Sequence, residues 1–183
     1  MQKLSPAFSQ GNVALVFAAN DSYVPYMATM MLSIMKHSSP VRGYDFVVLH
    51  HDITDDSWAL LAQMLDSYSN VSLRSANVSK YTQGLSFYTE NREDFSEEAY
   101  YRLLIPEIMQ EYEKVLYFDG DMVALTDVAG LYDTDLGDNL LASSRDLCGL
   151  MSYYNPLEDR RKYRDSVLKL EHPNDYFISG MLL

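Results

Sequence analysis

The chain has only one cysteine, Cys148, among its 183 residues. A lone cysteine forms no intramolecular disulfide, and it cannot supply the cluster of thiolates that a structural zinc site requires. Disulfides are typical of secreted proteins, whereas a reducing compartment keeps thiols free. The cysteine content therefore favours a cytoplasmic protein.

Basic residues are scarce in this sequence. It carries 14 Lys and Arg residues against 26 Asp and Glu residues, which gives a net charge of −12 at pH 7. Such a chain repels polyanions, so its composition argues against nucleic acid as a partner. A small anionic ligand such as a diphosphate would need a bridging cation, backbone N–H groups or arginines. The charge balance therefore favours a metal-dependent site.

Long apolar runs are also missing. Residues 1–12 are polar and lack the apolar region of a signal peptide, and the most apolar stretch, residues 23–35, is too short to span a bilayer. No transmembrane segment is predicted. The length and the 48% hydrophobic content fit one globular domain, which we place at residues 13–183 after an N-terminal tail at residues 1–12.

Strand and helix patterns alternate along the chain. Apolar runs predict strands at residues 13–19, 44–50, 71–76 and 114–118. Helical periodicity predicts a helix at residues 23–35 and another after Thr54, with Trp58, Leu61, Ala62 and Leu65 on its buried face. Further patterns predict a helix from Ser96 that Pro106 interrupts, strands at residues 140–144 and 176–183, and a charged helix at 157–170.

This alternation is typical of an α/β protein with a Rossmann-like sheet, mixed but mainly parallel, flanked by helices. The first predicted strand is not followed by a Gly-x-Gly-x-x-Gly turn. Because that turn is the ordinary phosphate cradle of dinucleotide-binding proteins, nicotinamide chemistry is disfavoured.

The most informative stretch is KVLYFDGD at residues 114–121, where an apolar run ends in two carboxylates separated by one glycine. The run predicts a buried strand, and ligands of such sheets bind beyond the carboxyl ends of the strands. Asp119 and Asp121, two residues apart in extended backbone, should point to one side, and Gly120 should let the main chain approach a ligand closely. We therefore predict a site for Mn²⁺ or Mg²⁺ at Asp119 and Asp121.

Five blocks of the sequence, in the same order, resemble glycosyltransferase family 8. These retaining enzymes include glycogenin and bacterial lipopolysaccharide galactosyl- and glucosyltransferases. The blocks are VFAANDSY at 16–23, AYYRLL at 99–104, KVLYFDGD at 114–121, LYDTDL at 131–136 and YFISGMLL at 176–183. The resemblance implies a GT-A fold, a UDP-hexose donor, Mn²⁺, and transfer with retention to a saccharide or lipopolysaccharide-type acceptor.

The resemblance also implies roles for individual residues. Asp119 and Asp121 resemble the Asp-x-Asp pair that binds Mn²⁺ and, through it, the diphosphate. The donor sugar would meet two candidate catalytic residues, Arg102 and Asp146, and a pocket lined by Ser179 and Gly180. The nucleoside would be held by the turn at residues 18–23, with Tyr23 stacking on uracil beside Ala18, Ala19, Asn20 and Ser22.

Three features depart from the family pattern. Asn20 stands where family members usually have aspartate, and Ile178 stands where they have asparagine. The sequence ends at Leu183, within an apolar strand pattern and before the family's His-x-x-Gly-x-x-Lys-Pro-Trp block, which carries a third metal ligand. We therefore expect the donor-binding part of a transferase, whose apolar end is exposed and self-associates.

Two other functions stay open at this point. The chain could be a degenerate module that binds a nucleotide-sugar without turnover, or a sugar-phosphate nucleotidyltransferase that uses the same acidic pair. The second triplet, Asp133-Thr134-Asp135, is predicted to be a solvated turn. We expect the histidines His37, His50 and His51 to be exposed or hydrogen-bonded in place and not to act as ligands.

Overall fold

The computed structural model describes residues 4–87, 96–147, 162–172 and 177–183. The chain divides into two compact units, one formed by Met1–Asp135 with Leu183 and the other by Leu136–Leu182. Among the described helices, none has both the length and the apolarity needed to cross a membrane.

The first unit is built on four parallel strands: β1 (Asn12–Ala18), β2 (Gly43–His50), β3 (Val71–Asn77) and β4 (Leu116–Phe118). Their order across the sheet is β3-β2-β1-β4. Strand β2 is buried along its whole length, and β1 is buried from Val13 onward. This confirms the predicted Rossmann-like sheet, in which the carboxyl ends of the parallel strands meet at one edge.

Two full-length helices connect the strands. Helix α1 (Val24–Lys36) buries the methionine and isoleucine side chains that recur at helical spacing. Helix α2 (Asp55–Leu65) begins after Thr54, whose hydroxyl accepts a hydrogen bond from Ser57 N at 3.3 Å, as the sequence predicts. Its buried residues are Leu61 and Leu65, whereas Ala62 is exposed, so the predicted face is too wide.

The remaining helices of the first unit are single turns: α3 (Ser79–Thr82), α4 (Glu98–Tyr101), α5 (Ile105–Ile108) and α6 (Ala129–Tyr132). The predicted helix after Ser96 is broken into α4, a 3₁₀ turn at Arg102–Leu104, and α5. Pro106 lies in the first turn of α5, because a residue without an N–H can begin a helix but weakens one that it interrupts. The interruption at Pro106 is thus confirmed.

A buried carboxylate ties the N-terminal segment to the sheet. Asp45 on β2 is fully buried and forms an ion pair with Arg74 on β3, whose Nε lies 3.0 Å from Asp45 Oδ1. The other oxygen, Oδ2, accepts hydrogen bonds from Tyr112 OH at 2.8 Å and from Ala7 N at 3.1 Å. Arg74 also donates to Ser5 O at 2.7 Å, so the segment predicted as a tail packs on the sheet edge.

The second unit contains a π-helical turn at Tyr163–Leu168 and the two-residue strand β5 (Met181–Leu182). The predicted strand at residues 140–144 is wrong: within the described part of the chain its apolar residues join no ladder, and Leu140 is fully exposed. Next to it, Arg145 forms only an isolated antiparallel bridge to Phe177. The predicted helix at 157–170 is described only from residue 162, and residue 176 of the last predicted strand also lies outside the described residues. Met181 and Leu182 are half-buried, and Leu183 is buried in the first unit.

Candidate functional site

Asp119 follows β4 and is held by two donors. Its Oδ1 accepts a hydrogen bond from Arg102 Nη2 at 2.8 Å and another from Tyr117 OH at 2.8 Å. The Arg102 guanidinium also lies over the Tyr117 ring, 4.7 Å from its centroid. Burial, followed by the charge of Asp119, raises the pKa of Tyr117, so its hydroxyl remains a hydrogen-bond donor at neutral pH.

Asp121 is exposed and accepts a hydrogen bond at Oδ2 from Tyr23 OH at 3.3 Å. Burial and the charge of Asp121 raise the pKa of Tyr23. The two aspartates are therefore oriented from different elements, Asp119 by Arg102 in the 3₁₀ turn after α4 and Asp121 by Tyr23 before α1. Among the described residues, these hydrogen bonds engage one oxygen of each carboxylate and not the other.

Gly120, between the two aspartates, is buried against helix α1. A Cβ atom built on Gly120 would lie 3.2 Å from Met27 Cβ and 3.4 Å from Met27 Cα. A larger residue at this position would therefore press on helix α1 at Met27. The predicted role, a close approach of the main chain to a ligand, stays a prediction.

The turn after β1 is organised by Asn20. Its Oδ1 accepts hydrogen bonds from Tyr23 N at 3.1 Å and from Ser22 Oγ at 2.7 Å, which caps the 3₁₀ turn at Asp21–Tyr23. The side chains of Ala18 and Ala19 are buried, so this part of the turn can offer a ligand only backbone groups. Tyr23 is 40% exposed, and its ring packs beside that of Tyr26, with the two ring centroids 5.0 Å apart.

Two residues of the site were missed by the sequence reasoning. Tyr117 lies on β4, two residues before Asp119, a spacing that places both side chains on one side. It is also a buried core residue within an apolar run, and that run gives no sign of its second role as a donor to Asp119. Asp21 accepts hydrogen bonds from Thr54 N and Thr54 Oγ1, both at 2.9 Å, and thereby ties the Asn20 turn to the start of α2. These bonds, led by that from Thr54 N, lower the pKa of Asp21.

Three of the predicted sugar contacts lie in the second unit. Asp146 is half-buried, Ser179 is exposed and Gly180 is buried. Nearby, Ile178 N donates to Ser144 O at 2.9 Å, and the Ile178 side chain is exposed. The roles of Asp146, Ser179 and Gly180 toward a donor sugar stay predictions.

The chemistry of the donor set fits a hard divalent cation. Asp119 and Asp121 offer carboxylate oxygens only, which is the ligand type that Mg²⁺ and Mn²⁺ prefer. Within the described residues, no third His, Cys, Asp or Glu joins this pair. Two protein ligands leave several coordination positions for water and phosphate oxygens.

The second acidic triplet differs from this site. Asp133 accepts hydrogen bonds from Arg42 Nη1 at 2.7 Å and Nη2 at 2.9 Å, and the bonded guanidinium lowers the pKa of Asp133. The turn at Asp133 is exposed, as expected, and the fold in addition brings Arg42 to it from a distant part of the sequence. A carboxylate with both oxygens engaged by one arginine is a poor metal ligand.

Comparison with known proteins shows relatives over most of the chain. Glycosyltransferase GlyA of Streptococcus pneumoniae serotype 4 is 30% identical over 149 residues, which are 81% of this chain and 20% of GlyA. The apo structure of the bifunctional glycosyltransferase WbbM superimposes with a TM-score of 0.85 at 28% identity, over 98% of this chain and 32% of WbbM. The chain thus spans a fifth to a third of these relatives.

A further solved structure is galactosyltransferase LgtC in complex with donor and acceptor sugar analogues, with a TM-score of 0.71 and 28% identity. That match covers 93% of this chain and 56% of LgtC. The family model described as Glycosyl transferase family 8 matches residues 14–183. With its parallel sheet and this match along nearly the whole sequence, the chain belongs to glycosyl transferase family 8 and has the GT-A fold.

Proposed function

We propose that this chain binds the UDP-hexose donor of a glycosyltransferase, together with Mn²⁺ or Mg²⁺ at Asp119 and Asp121. The observation that carries the proposal is the pair of carboxylates at the carboxyl end of β4, each oriented by a hydrogen bond from another element. Membership of family 8 supports glycosyl transfer as the reaction. A bound divalent cation would act as a Lewis acid on the leaving diphosphate.

The charges around Asp119 explain why a cation is needed. Arg102 is only 11% exposed at its side chain, and its guanidinium is committed to Asp119. Counted over the described residues, the two carboxylates and the one guanidinium that contacts them give this site a net negative charge, in a chain whose total charge is −12. A diphosphate would be repelled from this site unless a divalent cation lay between them.

Each surrounding residue has a part in this proposal. Arg102 and Tyr117 hold the Asp119 carboxylate in one orientation. Its Oδ2 could therefore bind a cation without a rearrangement of the Asp119 side chain. Tyr23 fixes Asp121 through its hydroxyl and presents its ring to the uracil base. Asp146, Ser179 and Gly180 are proposed to contact the donor sugar, with Arg102 and Asp146 as the candidate catalytic residues.

The larger reaction is also a proposal. In the whole protein, the hexose would pass with retention to a saccharide or lipopolysaccharide-type acceptor. The single cysteine supports a cytoplasmic setting. Ile178, where the family pattern has asparagine, favours a second candidate, a module that holds the nucleotide-sugar without turnover.

Calorimetric titration of UDP, with Mn²⁺ and with EDTA, tests the proposed site. We expect binding only with Mn²⁺, and Asp121→Asn should weaken it by about 2 kcal/mol or more, because a charged ligand to the cation is lost. Asp133→Asn is the matched control and should leave UDP binding unchanged, since Asp133 pairs with Arg42. Equal affinity for UDP in EDTA would contradict the metal bridge.

An assay of UDP release from a panel of UDP-hexoses separates the two candidates. Acceptor-dependent release with a product of matching mass supports a transferase, whereas tight donor binding without release supports the binding module.

A further inference from the structure

A second group of potential metal ligands, which includes neither Asp119 nor Asp121, lies at the end of β2. His51 directly follows β2, Glu97 directly precedes α4, and Glu98 is the first residue of α4. One ring nitrogen of His51 and one carboxylate oxygen from each glutamate lie within 4.8 Å of one another. In the described part of the chain, this is the one group of three or more His, Cys, Asp or Glu side chains that could share an ion.

The spacing of the three atoms matches a coordination shell. His51 Nδ1 lies 3.5 Å from Glu97 Oε1 and 3.5 Å from Glu98 Oε1. Ligands bonded to Zn²⁺ at about 2.0–2.2 Å in a tetrahedral arrangement lie about 3.3–3.5 Å from one another. Two of the three separations therefore already have the required length, and the third, between the two carboxylate oxygens, is no more than 4.8 Å.

The burial of the Glu98 carboxylate is an independent observation in favour of a bound cation. The Glu98 side chain is only 7% exposed, and its second oxygen, Oε2, is buried and has no hydrogen-bond partner among the residues that the structure describes. A buried carboxylate oxygen without a partner is costly, because the folded chain does not replace the water that the group has lost. A cation beside Glu98 would compensate this desolvation.

The negative charges around His51 also favour binding of a cation. Glu97 and Glu98 both face His51, and Asp52 places a third carboxylate 4.0 Å from the same nitrogen. His51 is the only basic side chain in an ion pair with these carboxylates among the residues that the structure describes. Even a protonated imidazole supplies one positive charge, whereas a divalent ion supplies two.

Tyr101, the last residue of α4, contacts two of these three side chains. Its buried hydroxyl lies 2.6 Å from Glu97 Oε1 and 2.9 Å from His51 Nδ1. By donating to Glu97, Tyr101 would orient the carboxylate toward the ion, which is the usual role of a residue that hydrogen-bonds a metal ligand.

We propose that His51, Glu97 and Glu98 bind a divalent transition-metal ion such as Zn²⁺, with water in the remaining position. The imidazole ligand selects this class of ion over Mg²⁺ and Ca²⁺, which prefer oxygen alone. The ion would join the end of β2 to α4, and the next residue after α4 is Arg102, which contacts Asp119. Binding of the ion does not depend on the donor-site proposal.

Zn²⁺ titration of the Asp121→Asn chain tests this proposal, because that substitution disables the Asp119 and Asp121 pair. We expect one Zn²⁺ per chain by calorimetry, and a Co²⁺ complex whose visible absorption exceeds that of aqueous Co²⁺. Adding Glu98→Gln should weaken Zn²⁺ binding by at least roughly tenfold. Adding Glu107→Gln, an exposed acidic position on α5, is the matched control and should leave the affinity unchanged.

Thermal unfolding gives a second reading. Saturating Zn²⁺ should raise the Tm of the Asp121→Asn chain but not that of the Asp121→Asn, Glu98→Gln chain, and circular dichroism without metal checks that both are folded. Equal Zn²⁺ affinity and an equal Tm response in these two chains would overturn the proposal. Since no nucleotide is present, either result leaves the UDP experiment unaffected.

Discussion

At the scale of single residues, the hydrogen bonds of Asp119 determine which of its atoms can meet a ligand. Arg102 and Tyr117 both donate to Oδ1, so Oδ2 is the oxygen left for a cation. Asp121 differs, because one longer hydrogen bond from the exposed Tyr23 restrains it. Asp119 is therefore the preorganised member of the pair, and Asp121 is the member that can move as a ligand arrives.

Gly120 gives a stability prediction at this scale. Gly120→Ala should lower the free energy of unfolding by about 1–3 kcal/mol, because the added methyl group would press on the α1 backbone at Met27. Gly130→Ala is the matched control: among the described residues, no atom apart from its chain neighbours and the backbone of its own helix lies within 4 Å of its Cβ position, so we expect no loss of stability. Urea unfolding measures the stability of both variants. An unchanged unfolding midpoint for Gly120→Ala would show that helix α1 can move to accommodate the methyl group with no loss of stability.

At the scale of elements, the buried ion pair between β2 and β3 connects three parts of the chain. Asp45 accepts from Arg74 on β3, from Tyr112 in the segment before β4 and from Ala7 before β1. Buried polar groups of this kind are costly to separate, because each member loses its partner in a region without water. The network therefore fixes where the N-terminal segment lies on the sheet.

Asp45→Asn should be strongly destabilising for this reason. We expect a loss of about 3–5 kcal/mol in the free energy of unfolding, since the partly buried Arg74 would keep its charge without a counter-ion. Asp133→Asn breaks the more exposed ion pair with Arg42 and should cost about 0–1 kcal/mol. Denaturant unfolding of the two variants compares them directly, and similar losses would mean that the Asp45 network is solvated.

At the scale of the whole molecule, the excess of acidic residues opposes association of one chain with another. Several apolar side chains are nevertheless exposed, such as Leu125, Leu140 and Leu103. Met181 and Leu182 are half-buried, so the apolar end presents less surface than the sequence pattern indicates. Self-association through this end stays a prediction.

Salt should reveal such association. Because salt screens the repulsion between chains of charge −12, the mass from light scattering should rise with ionic strength. Met181→Gln should reduce the rise more than Leu140→Gln, which changes a fully exposed residue elsewhere. A monomeric mass at both low and high salt would count against self-association.

The sequence by itself determined the sheet and the acidic pair. The strands β1, β2 and β3, helix α1 and the position of Asp119 and Asp121 after β4 follow from local patterns: apolar runs, helical spacing and capping residues. Such features depend on residues that are neighbours in the chain. The strand predicted at residues 140–144 failed because an apolar run becomes a strand only where a partner strand is present.

Only the tertiary structure decided which distant residues meet. Tyr117 and Arg102 converge on Asp119, Met27 packs closely against Gly120, and Arg42 pairs with Asp133. His51 was expected to be an ordinary exposed or satisfied histidine, yet the fold places two glutamates beside it. These contacts join residues far apart in the sequence, and the packing of the sheet with its helices sets their distances, which no local pattern records.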